Sequence, residues 1–293
     1  MAANWKEKML RSCELTENYL KDCVAKLSAP EELKEAMLYS LLAGGKRLRP
    51  YLCLAFCRLC GGNEQDALPF AAAVEMIHTY SLIHDDLPCM DNDDLRRGKP
   101  ANHIRFGEAN ALLAGDALLN LAFESVLCSN LPADLVKEGL AVLGQKAGAC
   151  GMIGGQTLDL AAEKITPDEE MLLQINRGKT SALIQAACVM GCVAARADET
   201  KKQAASAFGE ALGITFQLTD DLLDVRGDET KLGKPIGSDE KQNKTTLVAL
   251  LGVSATEQRA KEENERGKEA LSCFGPEKEE LFLLADWLLE RES

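Results

Sequence analysis

Apolar residues recur along this chain at intervals of three and four positions rather than two, and this spacing restricts the fold more than any other feature. Helix-favouring Ala, Leu, Glu and Lys dominate, and alternating strand-like runs are nearly absent. Breaks between helices are indicated at Gly44-Gly45, Gly61-Gly62, Gly154-Gly155 and Gly275-Pro276. Short connections of this kind predict roughly ten to twelve helices. Because no Pro- or Ser-rich linker divides the chain, we predict one all-α domain over residues 1–293.

Two tetrapeptides carry the signals of a helix start. Thr166-Pro-Asp-Glu169 combines a capping hydroxyl, a proline suited to the first helical position and a glutamate at the third. Ser254-Ala-Thr-Glu257 has the same cap and glutamate. We therefore predict helices that begin directly after Thr166 and directly after Ser254.

The first of two aspartate clusters contains Asp85, Asp86 and Asp91 and is followed by Arg96 and Arg97. On an unbroken helix Asp85 and Asp91 would point about 240° apart and could not converge. Pro88 lies between them, however, and proline removes a backbone donor and clashes with the preceding turn. We therefore predict that the helix ends or kinks near Pro88, which can return Asp91 toward Asp85.

The second cluster, Asp220, Asp221 and Asp224, lies in a segment that reads as continuous helix. Asp220 and Asp224 are about 40° apart on such a helix and one turn displaced, so their carboxylates can share a metal ion. Gln217 precedes Asp220 by three positions and Asp221 by four, which places it on the same side.

Carboxylates this dense within apolar helices repel one another unless a cation separates them. Mg²⁺ takes oxygen ligands and commonly shares them with substrate phosphates. Basic residues accompany both clusters and suit those phosphates, with Lys231, Lys234 and Lys244 following the second one. One such cluster alone is more often a solvated helix face. Two of them, each followed by cations, indicate diphosphate chemistry.

Further basic residues form a second set of candidate anion ligands. Lys46, Arg47 and Arg49 lie on a predicted loop just before a helix opened by Pro50, where backbone donors add to their attraction for phosphate. Arg96 and Arg97 are adjacent, so they diverge and can serve two different anions. Lys179 lies among apolar residues, where a lysine either extends its ammonium to the surface or faces a polar cavity.

Overall charge and cysteine content exclude several classes of protein. The chain has 46 acidic and 33 basic residues and a net charge of −13, which argues against nucleic acid or anionic membrane as the main partner. Eleven cysteines are an odd number. With no signal peptide and no apolar run near 20 residues, they indicate reduced thiols in a cytoplasmic protein without stable membrane insertion.

The order of these motifs resembles the trans-isoprenyl diphosphate synthase family, most closely the bacterial-type farnesyl diphosphate synthases. The two extra residues between Asp86 and Asp91 match the bacterial and plant subgroup. The resemblance is carried by residues 44–50, 75–78, 85–98, 106–116, 155–160, 179–180, 216–224 and 232–245.

The resemblance implies an all-α bundle in which both aspartate clusters face each other across a central active-site cavity. Metal binding, by up to about three Mg²⁺ ions with substrate bound, would fall to Asp85, Asp86, Asp91, Asp220, Asp221 and Asp224. The allylic diphosphate would contact Arg96, Lys179, Lys234 and Lys244, and isopentenyl diphosphate would contact Lys46, Arg49, His78 and Arg97. Thr180 and Gln217 would turn oxygen dipoles toward the carbocation. The family also implies a homodimer.

Tyr80 carries the prediction of product length. It precedes Asp85 by five positions, so on a helix it lies about 7.5 Å deeper, between one and two isoprene units. Ser81, four positions before Asp85, is too small to stop a growing chain. In this family a rigid aromatic at the position of Tyr80 is typical of C15 producers, which implies farnesyl diphosphate. The alternatives are a geranylgeranyl diphosphate synthase and a Tyr80 that only packs in the core.

Other interpretations explain less of the sequence. Cys53, Cys57 and Cys60 have the spacing of an iron–sulfur motif, but on a helix they share one buried face. His84-Asp85 resembles a phosphohydrolase pair, yet the chain has only three histidines. A terpene cyclase usually has a different second metal motif, and a non-catalytic subunit tends to lose one aspartate cluster. His103, Trp5 and Trp287 are interpreted as structural, and the C-terminal segment as either an amphipathic helix or a cover over the isopentenyl site.

Overall fold

The computed structural model describes residues 4–226 and 245–290, and helices account for almost all regular structure within these ranges. This confirms the predicted all-α class. The α-helices are α1 Asn4–Ala25, α2 Glu31–Leu41, α3 Leu48–Leu59, α4 Glu64–Asp85, α5 Asn102–Phe106, α6 Glu108–Leu127, α7 Ala133–Ala147, α8 Met152–Ala162, α9 Glu169–Ile175, α10 Ala182–Ala194, α11 Glu199–Arg226, α12 Leu247–Leu251, α13 Val253–Ala270 and α14 Glu279–Glu290. A π-helical turn, Asn176–Ser181, joins α9 to α10, and short 3₁₀ turns cover Leu271–Cys273 and Pro276–Lys278.

Two helices, α4 and α10, form the centre of the bundle. Every residue of α10 is buried, and α4 is buried over most of its length. A helix that is apolar on all sides is stable only when other helices surround it. Here α4 packs against α3 and α6, and α10 packs against α3, α7 and α11. The C-terminal end of α4 carries Asp85, and the turn that leads into α10 carries Lys179, so the most buried helices position two candidate site residues.

The helix that carries the first aspartate cluster ends at Asp85, close to the predicted break at Pro88. The chain then turns back, and the Asp91 amide donates a hydrogen bond to the Asp85 carbonyl at 2.8 Å. Asn92 adopts the left-handed region, with φ of 53°, and its amide donates to the Leu87 carbonyl. The predicted return of Asp91 toward Asp85 is therefore confirmed at the level of the backbone.

A short hairpin, not predicted from the sequence, follows this turn. Strands β1 (Leu95–Arg96) and β2 (Lys99–Pro100) pair antiparallel, with Arg96 opposite Lys99. The two connecting residues, Arg97 and Gly98, have φ of 54° and 73°. Positive φ at both central positions is the requirement of a type I′ turn, which suits a two-residue hairpin. The hairpin is too short to give an alternating pattern, and it fixes the divergence of Arg96 and Arg97.

Several predicted helix boundaries are wrong. Helix α9 is capped by Asp168, whose side chain accepts from the Met171 amide at 2.9 Å, and not by Thr166. Helix α13 already begins at Val253, so Ser254 lies inside it. Gly154-Gly155 falls within α8 rather than between helices. Helix α3 begins at Leu48, which places Arg49 in its first turn and not on the preceding loop.

Helix α6 is long and apolar enough to cross a membrane by length and composition alone, although Glu108, Asp116 and Glu124 interrupt its apolar residues. In this protein α6 packs against α4, α2 and α5, and 44% of its most apolar stretch is buried. Core helices of folded proteins meet the same criterion. Leu112 and Leu113 nevertheless lie on its outer face, 46% and 55% exposed.

Candidate active site

The candidate site is built from two adjoining cavities. The larger, of about 500 Å³, is lined by both polar and apolar residues. Its polar lining contains Arg49, His78, Asp85, Gln156, Lys179 and Thr180. The smaller, of about 150 Å³, is lined by Lys179, Thr180, Asp159, Gln217 and Asp221 among others. Because Lys179 and Thr180 line both cavities, they mark the place where the two meet.

The π-helical turn positions Lys179 and Thr180. Gly178 in this turn lies against Gly155 of α8, and a methyl group on Gly155 would fall 2.1 Å from the Lys179 backbone nitrogen. The two backbones can therefore approach only because both positions are glycine. A single π-turn within a helix is rare and often occurs at functional sites. Here it lets the chain present two consecutive side chains to the cavities.

Lys179 faces the site and is paired there. Its Nζ lies 2.5 Å from Oδ2 of Asp159 on α8. The Lys179 and Asp159 side chains are partly buried, 28% and 20% exposed, so salt screens their attraction less than that of a surface pair. The sequence left two interpretations of Lys179 open, and the structure agrees with the one in which its ammonium group faces a polar cavity.

A chain of hydrogen bonds connects Thr180 to the second aspartate cluster. The Thr180 hydroxyl donates to Oε1 of Gln217 at 3.2 Å, and Nε2 of Gln217 donates to Oδ1 of Asp221 at 2.9 Å. Asp221 and Asp224 are buried, 5% and 4% exposed. Gln217 and Asp221 are one turn apart on α11, so the predicted shared side of that helix turns toward the cavity.

Asp85 is a partly buried carboxylate that lines the larger cavity together with Lys179. Burial raises its pKa to about 6, the neighbouring Asp91 and Asp86 add to this rise, and Lys179 and Arg96 oppose it. A carboxyl group in this position gains from any cation brought near it. Because Lys179 also lines the smaller cavity together with Asp221, one lysine borders a cavity with a member of each aspartate cluster.

The carboxylates fit a magnesium ion that is shared with substrate. Within residues 4–226 and 245–290, no three His, Cys, Asp or Glu side chains converge closely enough to hold a metal by themselves. Mg²⁺ is usually bound through one or two carboxylates, with waters and substrate phosphates completing its coordination. Asp85 lines the larger cavity and Asp221 the smaller one, so oxygen donors in both adjoining cavities suit an ion that arrives with a diphosphate.

Asp86 and Arg96 are paired to each other. Nε of Arg96 donates to Oδ1 of Asp86 at 2.9 Å, and its Nη2 contacts both Asp86 and Asp93. Burial raises the pKa of the Asp86 carboxyl, and the hydrogen bond from Arg96 opposes this rise. Neither residue borders the larger cavity. Their roles as metal ligand and phosphate ligand remain predictions.

A cationic cluster of Arg49 and Arg97 lies beside His78, and Arg49 and His78 line the larger cavity. Burial lowers the pKa of Arg49 to about 10, Glu75 opposes this, and Arg97 adds to it. The Arg49 Nε is buried and has no hydrogen-bond partner among the described residues. Burial first, and then Arg49 and Arg97, hold the pKa of His78 well below its usual range, so His78 is neutral. Arg97 donates to the Gly44 carbonyl. An arginine whose buried Nε has no partner within the described structure is a candidate site for an anion.

Arg47, grouped with its basic neighbours from the sequence, has a different role. Its side chain is 1% exposed and lies 2.6 Å from Glu75 and 3.1 Å from Glu17. Its φ of 47° places it in the left-handed region, which reverses the loop before α3. Arg47 is therefore an internal ion-pair partner, and Lys46 beside it lies exposed on the loop.

Tyr80 borders the larger cavity, together with Ser81. Its ring is 5% exposed and contacts the His84 ring edge-on, with centroids 5.6 Å apart. The hydroxyl is buried with no hydrogen-bond partner in the described part of the chain. His84 in turn shares a 3.0 Å hydrogen bond with the Leu112 carbonyl of α6. Tyr80 is therefore packed and lines the cavity at the same time.

Lys234 and Lys244 lie outside the described residues, so their predicted contacts stay predictions. The described chain resumes at Thr245, which lines the smaller cavity together with Thr246 and Leu247. Two functional contacts were missed from the sequence. No role was predicted for Asp159, although an aspartate between Leu158 and Leu160 is a signal of a specific partner. Glu75, buried within apolar α4, is the same kind of signal.

Comparisons with known proteins agree with this geometry. Residues 30–278 match the family described as polyprenyl synthetase. A chloroplast geranylgeranyl pyrophosphate synthase 3 of Arabidopsis thaliana is 44% identical over 283 residues, which cover 94% of this chain and 78% of that protein. A farnesyl diphosphate synthase of Bacillus subtilis is 42% identical over 279 residues, 94% of each chain. The apo structure of an FPP/GFPP synthase from Zymomonas mobilis superimposes with a TM-score of 0.88 at 35% identity, covering 99% of this chain and 100% of that one.

These similarities confirm the resemblance inferred from the motifs, and they do so equally for relatives named after C15 and C20 products. Together with the paired aspartate clusters around Lys179 they settle the class of the protein: the chain belongs to the polyprenyl synthetase family and is a trans-prenyl diphosphate synthase.

Proposed function

We propose that the protein condenses isopentenyl diphosphate with dimethylallyl and geranyl diphosphate to give (E,E)-farnesyl diphosphate. One observation carries this proposal: the cavity of about 500 Å³ is lined by the charged groups Asp85 and Lys179 and by Tyr80, which lies on the same helix as Asp85. A charged lining suits a diphosphate, and an apolar lining that includes an aromatic suits a short isoprenoid tail.

The metal ligands in this proposal are the two aspartate clusters. We assign Asp85, Asp86, Asp91, Asp220, Asp221 and Asp224 to hold Mg²⁺, with up to about three ions per site when substrate is bound. When bound, Mg²⁺ supplies positive charge that stabilises the departing diphosphate. In the free protein the buried Asp86 is held by Arg96, so this pair has to separate or rearrange if both are to contact the ion and the phosphate.

The two anion sites divide the substrates. Lys179, fixed by Asp159, lies where the two cavities meet and is placed to contact the allylic diphosphate, which Arg96, Lys234 and Lys244 are assigned to share. Lys46, Arg49, His78 and Arg97 are assigned to isopentenyl diphosphate. Because His78 is neutral, it can donate one hydrogen bond to a phosphate oxygen without adding charge.

The chain's own groups act on the reacting carbons as follows. The allylic C–O bond breaks and its electron pair leaves with pyrophosphate, which Lys179 stabilises. The Thr180 hydroxyl oxygen and Gln217 Oε1 turn their dipoles to the allylic cation; their mutual hydrogen bond fixes both. The double bond of isopentenyl diphosphate then attacks C1, a new C–C bond forms, and a proton leaves to the released pyrophosphate.

Product analysis tests the proposal. Purified protein is incubated with Mg²⁺, dimethylallyl diphosphate and labelled isopentenyl diphosphate, and the dephosphorylated products are sized by chromatography. We expect mainly C15 product. The second candidate is a geranylgeranyl diphosphate synthase, favoured by the 44% identity to the Arabidopsis protein. Mainly C20 product would support that candidate and overturn the first.

The proposal includes a homodimer. Leu112 and Leu113 of α6 are 46% and 55% exposed, and Ile153 and Leu158 of α8 are 46% and 37% exposed. Large apolar side chains that lie exposed on the outside of a protein are typical of a protein–protein interface. A second copy of this chain is the partner we assign to that surface, and light scattering on the purified protein measures its presence.

A further inference from the structure

The indole ring of Trp287 lies against the ammonium group of Lys46 at the edge of the cationic cluster. Lys46 Nζ is 5.3 Å from the ring centroid, within the distance at which an aromatic face attracts a cation. Lys46 follows Gly45, against which the Arg97 guanidinium packs so closely that a methyl group on Gly45 would lie 2.8 Å from it. Trp287 belongs to α14, so a helix near the C-terminus contacts a residue assigned to the isopentenyl site.

Trp287 is itself held from the opposite side. The Trp5 ring of α1 is 8% exposed and packs on Trp287 with centroids 5.5 Å apart and planes inclined by 56°. Its neighbours Leu284 and Leu288, three positions before and one after, are fully buried. Trp287 therefore packs against the core on one side, and another part of its ring contacts Lys46.

Helix α14 is anchored near both ends by polar contacts. Near its start, Glu280 accepts a hydrogen bond from the Tyr51 hydroxyl at 2.7 Å and forms ion pairs with Arg58 and Lys8. Near its end, Asp286 accepts from Nδ2 of Asn264 at 3.0 Å and forms an ion pair with Lys268. These contacts connect α14 to α1, α3 and α13, and they make the ring of Trp287 a fixed surface.

The Lys46 side chain is exposed on a loop. A lysine side chain has many rotamers, and a contact that restricts them before a ligand binds lowers the entropic cost of binding. The backbone beside it is already fixed, since Arg47 is buried and bonded to Glu17 and Glu75. We propose that Trp287 is a positioning residue that holds the Lys46 side chain ready for the diphosphate of isopentenyl diphosphate. The inference rests on the proposed isopentenyl site.

Steady-state kinetics of two Trp287 variants test this role. Trp287→Leu removes the aromatic face, and we expect the Michaelis constant for isopentenyl diphosphate to rise about fivefold, the size of an exposed cation–π contact. The Michaelis constant for geranyl diphosphate and kcat should stay within about twofold. Trp287→Phe keeps an aromatic face and should recover most of the wild-type value. The matched control is Phe282→Leu. Phe282 lies on the same helix as Trp287, and its replacement removes a cation–π contact to Lys278 in the preceding 3₁₀ turn. This variant should change neither constant.

A double-mutant cycle with Lys46→Ala separates positioning from a general structural effect. If Trp287 acts through Lys46, then Trp287→Leu should raise the Michaelis constant for isopentenyl diphosphate in the wild-type background and have no further effect in Lys46→Ala. Equal effects in both backgrounds overturn the positioning role. If Lys46→Ala raises the constant and Trp287→Leu does not, the positioning role alone fails. If Lys46→Ala itself is silent, the isopentenyl assignment of Lys46 fails, and the positioning role fails with it.

Tryptophan fluorescence tests the contact without altering Trp287. The chain has two tryptophans, so Trp5→Phe leaves Trp287 as the single emitter. Isopentenyl diphosphate brings negative charge to the Lys46 ammonium, and the emission of Trp287 should change on titration. We expect the change to be largely lost when Lys46→Ala is added. An equal change in both proteins, or none in either, contradicts the contact.

Discussion

Charged residues that are close neighbours in the sequence have different roles in this site, and the sequence alone does not distinguish those roles. Arg47 is buried in ion pairs with two glutamates, whereas Arg49 has an unpartnered Nε within the described structure. Asp86 is bonded to Arg96, whereas Asp85 borders the cavity. A motif shows that both charged residues are present, but the fold determines which of them faces the cavity. The chemistry of the site could therefore be predicted from the motifs, whereas the ion pairs became known only from the structure.

Replacing Asp85 should separate catalysis from stability. Burial raises the pKa of Asp85 to about 6, so keeping it ionised in the folded protein costs free energy once the pH rises above that value. Asp85→Asn removes this cost, and we expect an unchanged or higher melting temperature at neutral pH. Turnover should fall by about 10²-fold or more, because a transition-state electrostatic contact is lost. Calorimetry and product formation measure the two quantities.

The control for this variant is Asp134→Asn, since Asp134 is exposed and paired with Arg196 at 2.7 Å. It should keep wild-type turnover. Chelation of the wild type with EDTA should abolish turnover, and added Mg²⁺ should restore it. An Asp85→Asn variant that retains more than about a tenth of the wild-type rate would contradict the assigned role.

Asp159 is the contact that the sequence did not predict, and its loss should act through Lys179. Asp159→Asn keeps the size of the side chain and removes the charge that holds the ammonium 2.5 Å away. We expect kcat to fall about tenfold and the Michaelis constant for the allylic substrate to rise, with little change for isopentenyl diphosphate. Glu170→Gln is the matched control, because it breaks the exposed pair with Arg177 two positions from Lys179. Equal kinetics for both variants would remove the functional role of Asp159.

Helices were predicted well where their apolar pattern was long, and poorly at their ends. The end of α4 followed from the conformational limits of Pro88, which hold in any context. The start of α9 did not follow, because Thr166 and Asp168 are both residue types that cap helices, and in the structure it is the Asp168 side chain that accepts from the Met171 amide. The π-turn at Asn176–Ser181 has no sequence pattern of its own. Its only trace is a glycine in each of two packed segments, Gly155 and Gly178.

The Gly155 position should therefore be intolerant of a side chain. In Gly155→Ala the new methyl would lie 2.1 Å from the Lys179 nitrogen, and a backbone atom cannot move aside cheaply. We expect a lower melting temperature and turnover reduced at least about tenfold, because the π-turn shifts with its two catalytic side chains. Gly144→Ala on α7 meets only a Phe123 ring carbon at 3.9 Å. It should be neutral or stabilising by up to about 1 kcal/mol, as glycine-to-alanine changes in helices are.

In this proposal helix α4 sets the product length, since Asp85 and Tyr80 lie on the same helix, five positions apart. Tyr80→Ala should enlarge the cavity and shift the product from C15 to C20 or longer. Ser81→Phe, one position nearer Asp85 and on the same cavity wall, should shorten the product toward C10. Chromatographic sizing measures both. An active Tyr80→Ala with unchanged C15 product would place the end of the cavity elsewhere.

At the scale of the whole molecule, the helices that form the centre of the buried core also position residues of the active site. The main core joins residues of helices from α1 to α14, and α4 and α10 pass through its centre. Charged groups at the ends of these two helices are therefore held by the most tightly packed part of the protein. Composition and periodicity predicted this core, because they report burial directly. They could not predict the outer face of α6, since the same leucines satisfy a core helix, a membrane span and an interface.

The proposed homodimer makes that outer face testable. Leu113 is 55% exposed on α6, and Leu113→Glu would place a charge where two copies of the chain are expected to meet. Burying an unpaired charge costs several kcal/mol, so we expect the variant to be monomeric at concentrations at which the wild type is dimeric. Leu10→Glu on α1 is the matched control, because Leu10 is 67% exposed on a different helix and should leave the dimer intact. Light scattering coupled to size-exclusion chromatography gives the mass of each protein. A wild type that elutes as a monomer, or a Leu113→Glu variant that stays dimeric, would assign the exposed leucines of α6 to some other partner.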